Sequence, residues 1–204
     1  LRTPLNTISG YTQHIQEAFA DRIKPGESKF FESIQRGGER LMRTVDEILN
    51  LSRIQSGEMR LNIATTDLNA LLHHVIGEMR QKAQMKSLTL TFVNECGHIE
   101  IEADEYYLSQ AVLNLVDNAI KYTEHGTVRV RMFRSESSIL IEVRDTGIGI
   151  TREFLDRLYE PYSQEEIGHT RQHEGIGLGL ALVQKYLEFH NATISVESTK
   201  GEGS

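Results

Sequence analysis

Three groups of residues in this 204-residue chain have side chains and spacings suited to chemistry. In the first, Asn114, Asn118 and Lys121 stand at i, i+4 and i+7, so a helix would place them on one side. Asn carbonyls are neutral oxygen ligands, and Mg2+ takes oxygen ligands while keeping waters and substrate phosphates. Lys121 would add positive charge close to such phosphates. An ordinary solvated face on an amphipathic helix has the same spacing. The second group is Asp145-Thr146-Gly147-Ile148-Gly149. A carboxylate directly after a strand, followed by two glycines, lets the backbone bend tightly and approach a ligand. Asp145 can accept a hydrogen bond from an amino group such as that of adenine. A tight turn closing a strand would read alike. The third, Gly175-Ile176-Gly177-Leu178-Gly179-Leu180, opens a helical stretch that runs to Phe189. Free N–H groups and the positive dipole end at a helix start favour phosphate. Its spacing is neither the dinucleotide fingerprint nor a Walker loop, which needs Lys-Ser/Thr. Between the second and third groups, Ser163–Glu174 is polar and carries Gly168, His169, Arg171 and His173. A polar loop in that place reads as a mobile lid. Its two histidines lack metal-ligand spacing and a nearby Cys, and read as solvated side chains.

The elements that must position these groups follow two periodicities. In residues 1–57, Leu1, Leu5, Ile8, Thr12, Ile15 and Phe19 alternate steps of four and three, as do Ile34, Gly38, Leu41, Val45 and Ile48. Pro25-Gly26 breaks the pattern between them, and Ser28 is placed to cap the second helix. This predicts an antiparallel helical hairpin. A lone hairpin cannot enclose both stripes. They are expected to pair with a second copy in a four-helix bundle, or to pack against the rest of the chain. After Ser56-Gly57 helices and strands mix. Leu68–Met79 is a helical stripe with Asp67 as its cap, and 104–122 and 178–189 are further helices. Residues 88–93, 99–101, 127–133 and 139–143 read as strands, with Ala192–Val196 as a closing strand. The class is α+β, with helices on one face of a sheet.

Composition narrows the partners. With 22 Lys and Arg against 29 Asp and Glu, the net charge is −7. That argues against broad nucleic-acid binding, which needs a basic surface. At 39% hydrophobic and 25% charged the chain is globular in type. No apolar stretch approaches the roughly 18 residues of a membrane helix. The single Cys96 excludes an internal disulfide framework and a Cys-based zinc site, and fits a reducing compartment. The chain starts at Leu1 without a signal pattern and reads as a piece of something longer.

Taken in order, these motifs resemble those of sensor histidine kinases. Asn114-Leu115-Val116-Asp117-Asn118-Ala119-Ile120-Lys121-Tyr122 resembles the N box of the catalytic domain with its Bergerat-type ATP-binding fold. Asp145–Gly149 and Gly175–Leu180 resemble its two glycine boxes. Leu158-Tyr159-Glu160-Pro161-Tyr162-Ser163-Gln164 resembles its phenylalanine box, with Tyr at both aromatic places. Ile176 stands where Thr or Ser is common. Leu1-Arg2-Thr3-Pro4-Leu5-Asn6 is similar to the tail of the H-E-L-R-T-P-L-N box that opens the dimerisation and phosphotransfer hairpin. The phospho-acceptor His of that box would lie two residues before Leu1. None of the chain's eight histidines takes its place. The family's last strand would follow Ser204.

The resemblance implies a hairpin over 1–57 and an α/β-sandwich ATP-binding domain over 58–204. It implies ATP and Mg2+ as ligands, with Asp145 on the adenine amino group and Asn118 with Asn114 on the metal. Lys121 and Tyr122 would flank the phosphates, and Arg171 would reach them from the lid. Gly147, Gly149, Gly175, Gly177, Leu178, Gly179 and Leu180 would shape the pocket. The intact protein would phosphorylate the hairpin His and pass the group to an Asp of a response-regulator receiver, as a cytoplasmic homodimer joined through 1–57. Thr3, four residues after the absent His, is a candidate for orienting water in dephosphorylation of that partner. A helix-surface hydroxyl is the alternative. ATPases of the same fold usually carry Glu where this chain has Asn114, which lacks a general base for water. A nucleotide-controlled regulator without kinase activity and a purely structural dimerisation module are the competing readings. Autophosphorylation of this chain alone is not expected.

Overall fold

The two stripes become α1 (Arg2–Ala18) and α2 (Ser28–Gln55), which pack on each other. The computed structural model describes residues 2–19, 28–165 and 176–204, and within α1 the side chain of Thr3 is not among those described. Ser28 is the first helical residue itself, one step inside the capping place expected for it. The Pro25-Gly26 turn lies outside the described residues. Ile8, Ile15, Phe19, Ile34, Leu41 and Ile48 remain 45% to 54% exposed in the single chain. One helix partner therefore leaves each stripe half in water.

The chain divides into two units, Leu1–Glu58 and Met59–Ser204. The second contains β1 (Ala64–Asp67), α3 (Leu68–Met85), β2 (Thr89–Asn94), β3 (Glu100–Ala103), α4 (Glu105–Tyr122), β4 (Thr127–Ser135), β5 (Ser138–Asp145), α5 (Arg152–Leu155) and α6 (Gly179–Phe189). β1 and β3 form an antiparallel pair, and the main sheet runs β2-β4-β5. β2 is parallel to β4, while β4 and β5 form a hairpin registered from Ser135↔Ser138 to Val128↔Asp145. The alternation of β4 buries Val128, Val130 and Met132 completely. Leu71, Leu72, Val75 and Ile76 of α3 and Val112, Val116 and Ile120 of α4 complete that core. α4 packs against α3, α6 and both strands of the hairpin. This is an α+β unit with its helices layered on the sheet.

Capping fixes where the helices start and stop. Asp67 accepts the N–H groups of Asn69 (2.9 Å) and Ala70 (3.2 Å), as its place before α3 predicts. Asp104 does the same for α4 through Tyr107. At the far end of α4, Lys86 Nζ donates to the carbonyls of Ile120 (2.7 Å), Lys121 (2.9 Å) and Thr123 (2.8 Å). Helix carbonyls there have no intrahelical donor, and a cation suits the negative dipole end. Burial lowers the Lys86 pKa, with Lys82 adding to that and Glu124 opposing it. His190 Nε2 accepts from the Asp104 amide (3.0 Å) while its Nδ1 faces the Tyr186 carbonyl (2.6 Å), joining the end of α6 to the start of α4.

The strand expected at Ala192–Val196 is not formed. A strand needs a neighbour to exchange backbone bonds with. Among the described residues none pairs with this stretch, and only an isolated bridge, Thr199↔Gly203, follows it. The four-residue β1 and α5 escaped the periodicity reading because neither is long enough to show a period.

Candidate functional site

α4 brings Asn114, Asn118 and Lys121 to the side away from its deepest core residues, where each is half-buried. The two asparagines differ. Asn114 Nδ2 donates to the Gln110 carbonyl (3.0 Å) in its own helix. Its Oδ1 faces the start of α6, 3.3 Å from where a Cβ on Gly179 would stand. Asn118 makes no side-chain hydrogen bond among the described residues. A half-buried carboxamide without a protein partner is available to a ligand. Lys121 Nζ sits over the Tyr122 ring, 4.8 Å from its centre. Directly before Asn118 in the chain, Asp117 points inward and pairs with Lys82. The polar face therefore has a buried acidic neighbour that its spacing did not reveal.

β5 delivers Asp145 at its last position. Oδ1 accepts the Gly147 N–H (2.8 Å), bending the chain back at once. Burial pushes the Asp145 carboxyl above the usual carboxylate range, against the opposing pull of the Gly147 and Ser204 backbones. A carboxylate has about four acceptor positions, so two backbone amides do not exhaust it. The glycines that follow are required by the protein's own backbone. A Cβ on Gly147 would run into the Tyr122 carbonyl, and one on Gly149 (φ +60°) into the Thr199 carbonyl. Gly203 (φ +100°) is closed on the Asp145 carbonyl in the same way. The expectation that these glycines admit a ligand is thus joined by a second reason: two stretches of backbone interlock here.

Sequence reasoning missed that second stretch. The turn Ser198–Ser204 underlies the loop. Ile150 N donates to Ser198 Oγ (2.8 Å), Gly201 N to the Ile148 carbonyl (2.8 Å), and Asp145 N to the Ser204 carbonyl (2.9 Å). Gly201-Glu202-Gly203-Ser204 repeats the glycine spacing of the loop it supports, and was the available signal.

At α6, Leu178 is fully buried in the N-cap place and offers no side-chain cap. The first N–H groups, from Gly179 and Leu180, consequently lack a side-chain acceptor at the cap. Gly177 (φ +75°) leaves a Cβ only 2.6 Å from the Ser163 carbonyl, and its own carbonyl accepts from Tyr162 N (2.9 Å). Arg171 and Gly175, with His169 and His173, lie outside the described residues. Among those described, no group of three His, Cys, Asp or Glu side chains is placed to hold a metal. No described helix is long and apolar enough to cross a membrane.

Two family models match this chain. The His Kinase A (phospho-acceptor) domain matches residues 1–57, and the histidine kinase-, DNA gyrase B- and HSP90-like ATPase family matches residues 103–204, which hold all three groups above. The chain belongs to the sensor histidine kinases. It is 31% identical over its whole length to the circadian input-output histidine kinase CikA of Synechococcus elongatus, and 32% identical to the histidine protein kinase DivJ of Caulobacter vibrioides. It spans 28% and 34% of those relatives. Among solved structures, the full-length ShkA complex with AMPPNP superposes over 99% of this chain and 42% of that one, with TM-score 0.79 and 26% identity. The Acinetobacter baumannii kinase AdeS, at 22% identity and TM-score 0.70, shares the fold.

Within this histidine kinase core the two box tyrosines part company. Tyr162 is 63% exposed with φ +65°. Tyr159 is turned inward, its hydroxyl buried without a partner among the described residues, and burial raises its pKa. A buried hydroxyl without a hydrogen bond costs about 1–3 kcal/mol. Tyr159→Phe is therefore expected to gain about 1 kcal/mol in urea unfolding. A loss of stability would show that the hydroxyl has a partner.

Proposed function

We propose that this chain is the ATP-binding catalytic core of a sensor histidine kinase, with 1–57 as the dimerisation and phosphotransfer hairpin and 58–204 as the catalytic domain. The observation that carries the reading is the half-buried Asn118 carboxamide, which has no hydrogen-bond partner among the described residues. It stands on the helix that also packs on α6, whose first N–H groups carry no side-chain cap. In this reading Asp145 accepts the adenine amino group, while Lys121 and the start of α6 face the phosphates. Asn118 holds Mg2+, which would offset phosphate charge when bound. Asn114 is the lesser ligand, since its Nδ2 is engaged with the Gln110 carbonyl, which ties the carboxamide to its own helix. Gly177 and Leu178 fix the entry to α6, with Leu180 behind it, and Tyr122 lies beside Lys121. Arg171 and Gly175 keep the phosphate-side places the motif assigns them.

Phosphoryl transfer depends on positioning and charge stabilisation, so no residue of this domain need form a covalent bond. The acceptor is a His of the hairpin in the intact protein, and the group then moves to an Asp of a response-regulator receiver. The half-exposed α1 and α2 stripes support pairing with a second copy, and the hairpin start supports Thr3 as the dephosphorylation candidate. A cytoplasmic location follows from the same reading.

The test uses γ-labelled ATP with Mg2+. The chain as it stands is expected to gain no acid-labile phosphate. The same chain extended by His-Glu before Leu1 is expected to gain it. Label on the unextended chain, or none on the extended one, contradicts the kinase reading. If calorimetry then still shows Mg·ATP binding, the nucleotide-controlled regulator is the better description.

A further inference from the structure

The loop after β5 is held at its far end by one carboxylate. Glu165 Oε1 accepts the Thr151 N–H (2.9 Å), and Oε2 pairs with Lys200 Nζ (2.7 Å). The Glu165 side chain is only 15% exposed. Lys200 Nζ also reaches the Gly149 carbonyl (3.4 Å). One side chain thus ties three segments together: the end of the aromatic box, the end of the glycine loop, and the turn Ser198–Ser204. Thr151 stands in the N-cap place of α5 without a side-chain cap of its own. Burial disfavours the Glu165 charge, yet Lys200 and the Thr151 amide outweigh it and hold the carboxyl below its usual range.

An exposed ion pair contributes about 0–1 kcal/mol and would be unremarkable here. This one is mostly buried on its acidic side and shared with a backbone amide, a pattern that fixes geometry. Its targets matter more. Gly149 and Thr151 end the loop that begins at Asp145, and the Lys200 turn is the one on which Gly149 and Gly203 interlock.

We infer that Glu165, paired with Lys200, is a positioning residue for nucleotide binding: it clamps Gly149–Thr151 onto the Ser198–Ser204 turn and so sets the shape of the loop that presents Asp145. The inference rests on the ATP-binding reading above. Glu165 does not touch nucleotide in this account and acts through Thr151 and Lys200.

The test is a double-mutant cycle read by Mg·AMPPNP calorimetry on the whole chain. Glu165→Gln keeps an acceptor for Thr151 but loses the ion pair, and Lys200→Met loses it from the other side. Each is expected to weaken binding about 3- to 30-fold, and the double variant no more than the worse single one. Lys200→Arg is expected to restore binding, which a merely structural role would not require. Thermal midpoints identify any variant that fails to fold. In the nucleotide-free chain, the Thr151 amide is expected to exchange faster in Glu165→Ala than in wild type. Wild-type affinity in both single variants, additive losses, or unchanged Thr151 exchange overturns the clamp alone. Failure of the wild-type chain to bind nucleotide overturns the functional reading, and this inference with it.

Discussion

Asn118→Ala is expected to weaken Mg2+-dependent ATP binding by about a hundred-fold or more, while the fold is unchanged. Residues that merely orient a metal ligand cost about 10- to 100-fold when removed, so loss of a ligand sets a floor near the top of that range. A hundred-fold is about 2.7 kcal/mol. The substitution removes no core volume, because Asn118 lies on the half-buried side of α4. It breaks no internal hydrogen bond among the described residues. Ala also favours helix, so α4 should not weaken. Calorimetry with and without Mg2+ separates the two contributions: the variant should lose the metal-dependent part of the affinity. Wild-type Mg·ATP affinity would remove Asn118 from the site. Asn114→Ala is the useful comparison. Its amide caps the Gln110 carbonyl and meets α6, so a smaller loss of binding with some loss of stability is expected there.

Asp145→Asn is expected to cost roughly ten- to a hundred-fold in ATP affinity, the range of one charge-assisted hydrogen bond. The direction follows from geometry. Gly147 N–H needs an acceptor at Oδ1 and keeps the Asn oxygen there. The Asn NH2 then stands where the second carboxylate oxygen was, donor against the donor of an adenine amino group. Guanine carries a carbonyl at the corresponding edge, so GTP should lose less and the preference should narrow. Unchanged ATP and GTP affinities would refute the adenine role. Stability separates this from simple damage. The folded pKa of Asp145 is raised, so the folded chain holds a proton that the unfolded chain has released between their two values. The charge therefore costs stability at neutral pH, and the cost fades as pH falls through the folded pKa. Asn carries no such cost. The nucleotide-free variant should be at least as stable as wild type at pH 7, with its advantage shrinking on acidification.

Long, strongly periodic stretches were the legible part of this sequence. The stripes of α3 and α4 predict their helices because each buries a face over several turns, and those of α1 and α2 because each lines up apolar residues over as long a run. The strand pairs around 127–145 announce themselves by alternation. Ala192–Val196 has the composition of a strand, but pairing is a property of two segments and composition describes one. The site divides similarly. Asn118 and Asp145 could be picked out by type and spacing. The supports could not. Lys86 meets the end of α4 across 34 to 37 residues, Lys82 meets Asp117 across 35, and Glu165 meets Lys200 across 35. No local pattern encodes such partners. Only Gly201–Ser204 carried a visible mark, and its meaning depended on knowing that its backbone lies under Asp145.

The interlocked glycines also set an order of events during synthesis. Ile150 waits for Ser198, 48 residues later in the chain, and Gly149 for Thr199. A chain is made at about 5–20 residues per second and folds as its segments emerge. The hairpin of β4 and β5 can close early, since its loop is short and costs little entropy. The loop that presents Asp145 cannot take its final form until the turn Ser198–Ser204 has left the ribosome. Nascent chains stalled before that point should carry a formed β-hairpin yet be unable to retain ATP, so competence for nucleotide waits on the turn Ser198–Ser204.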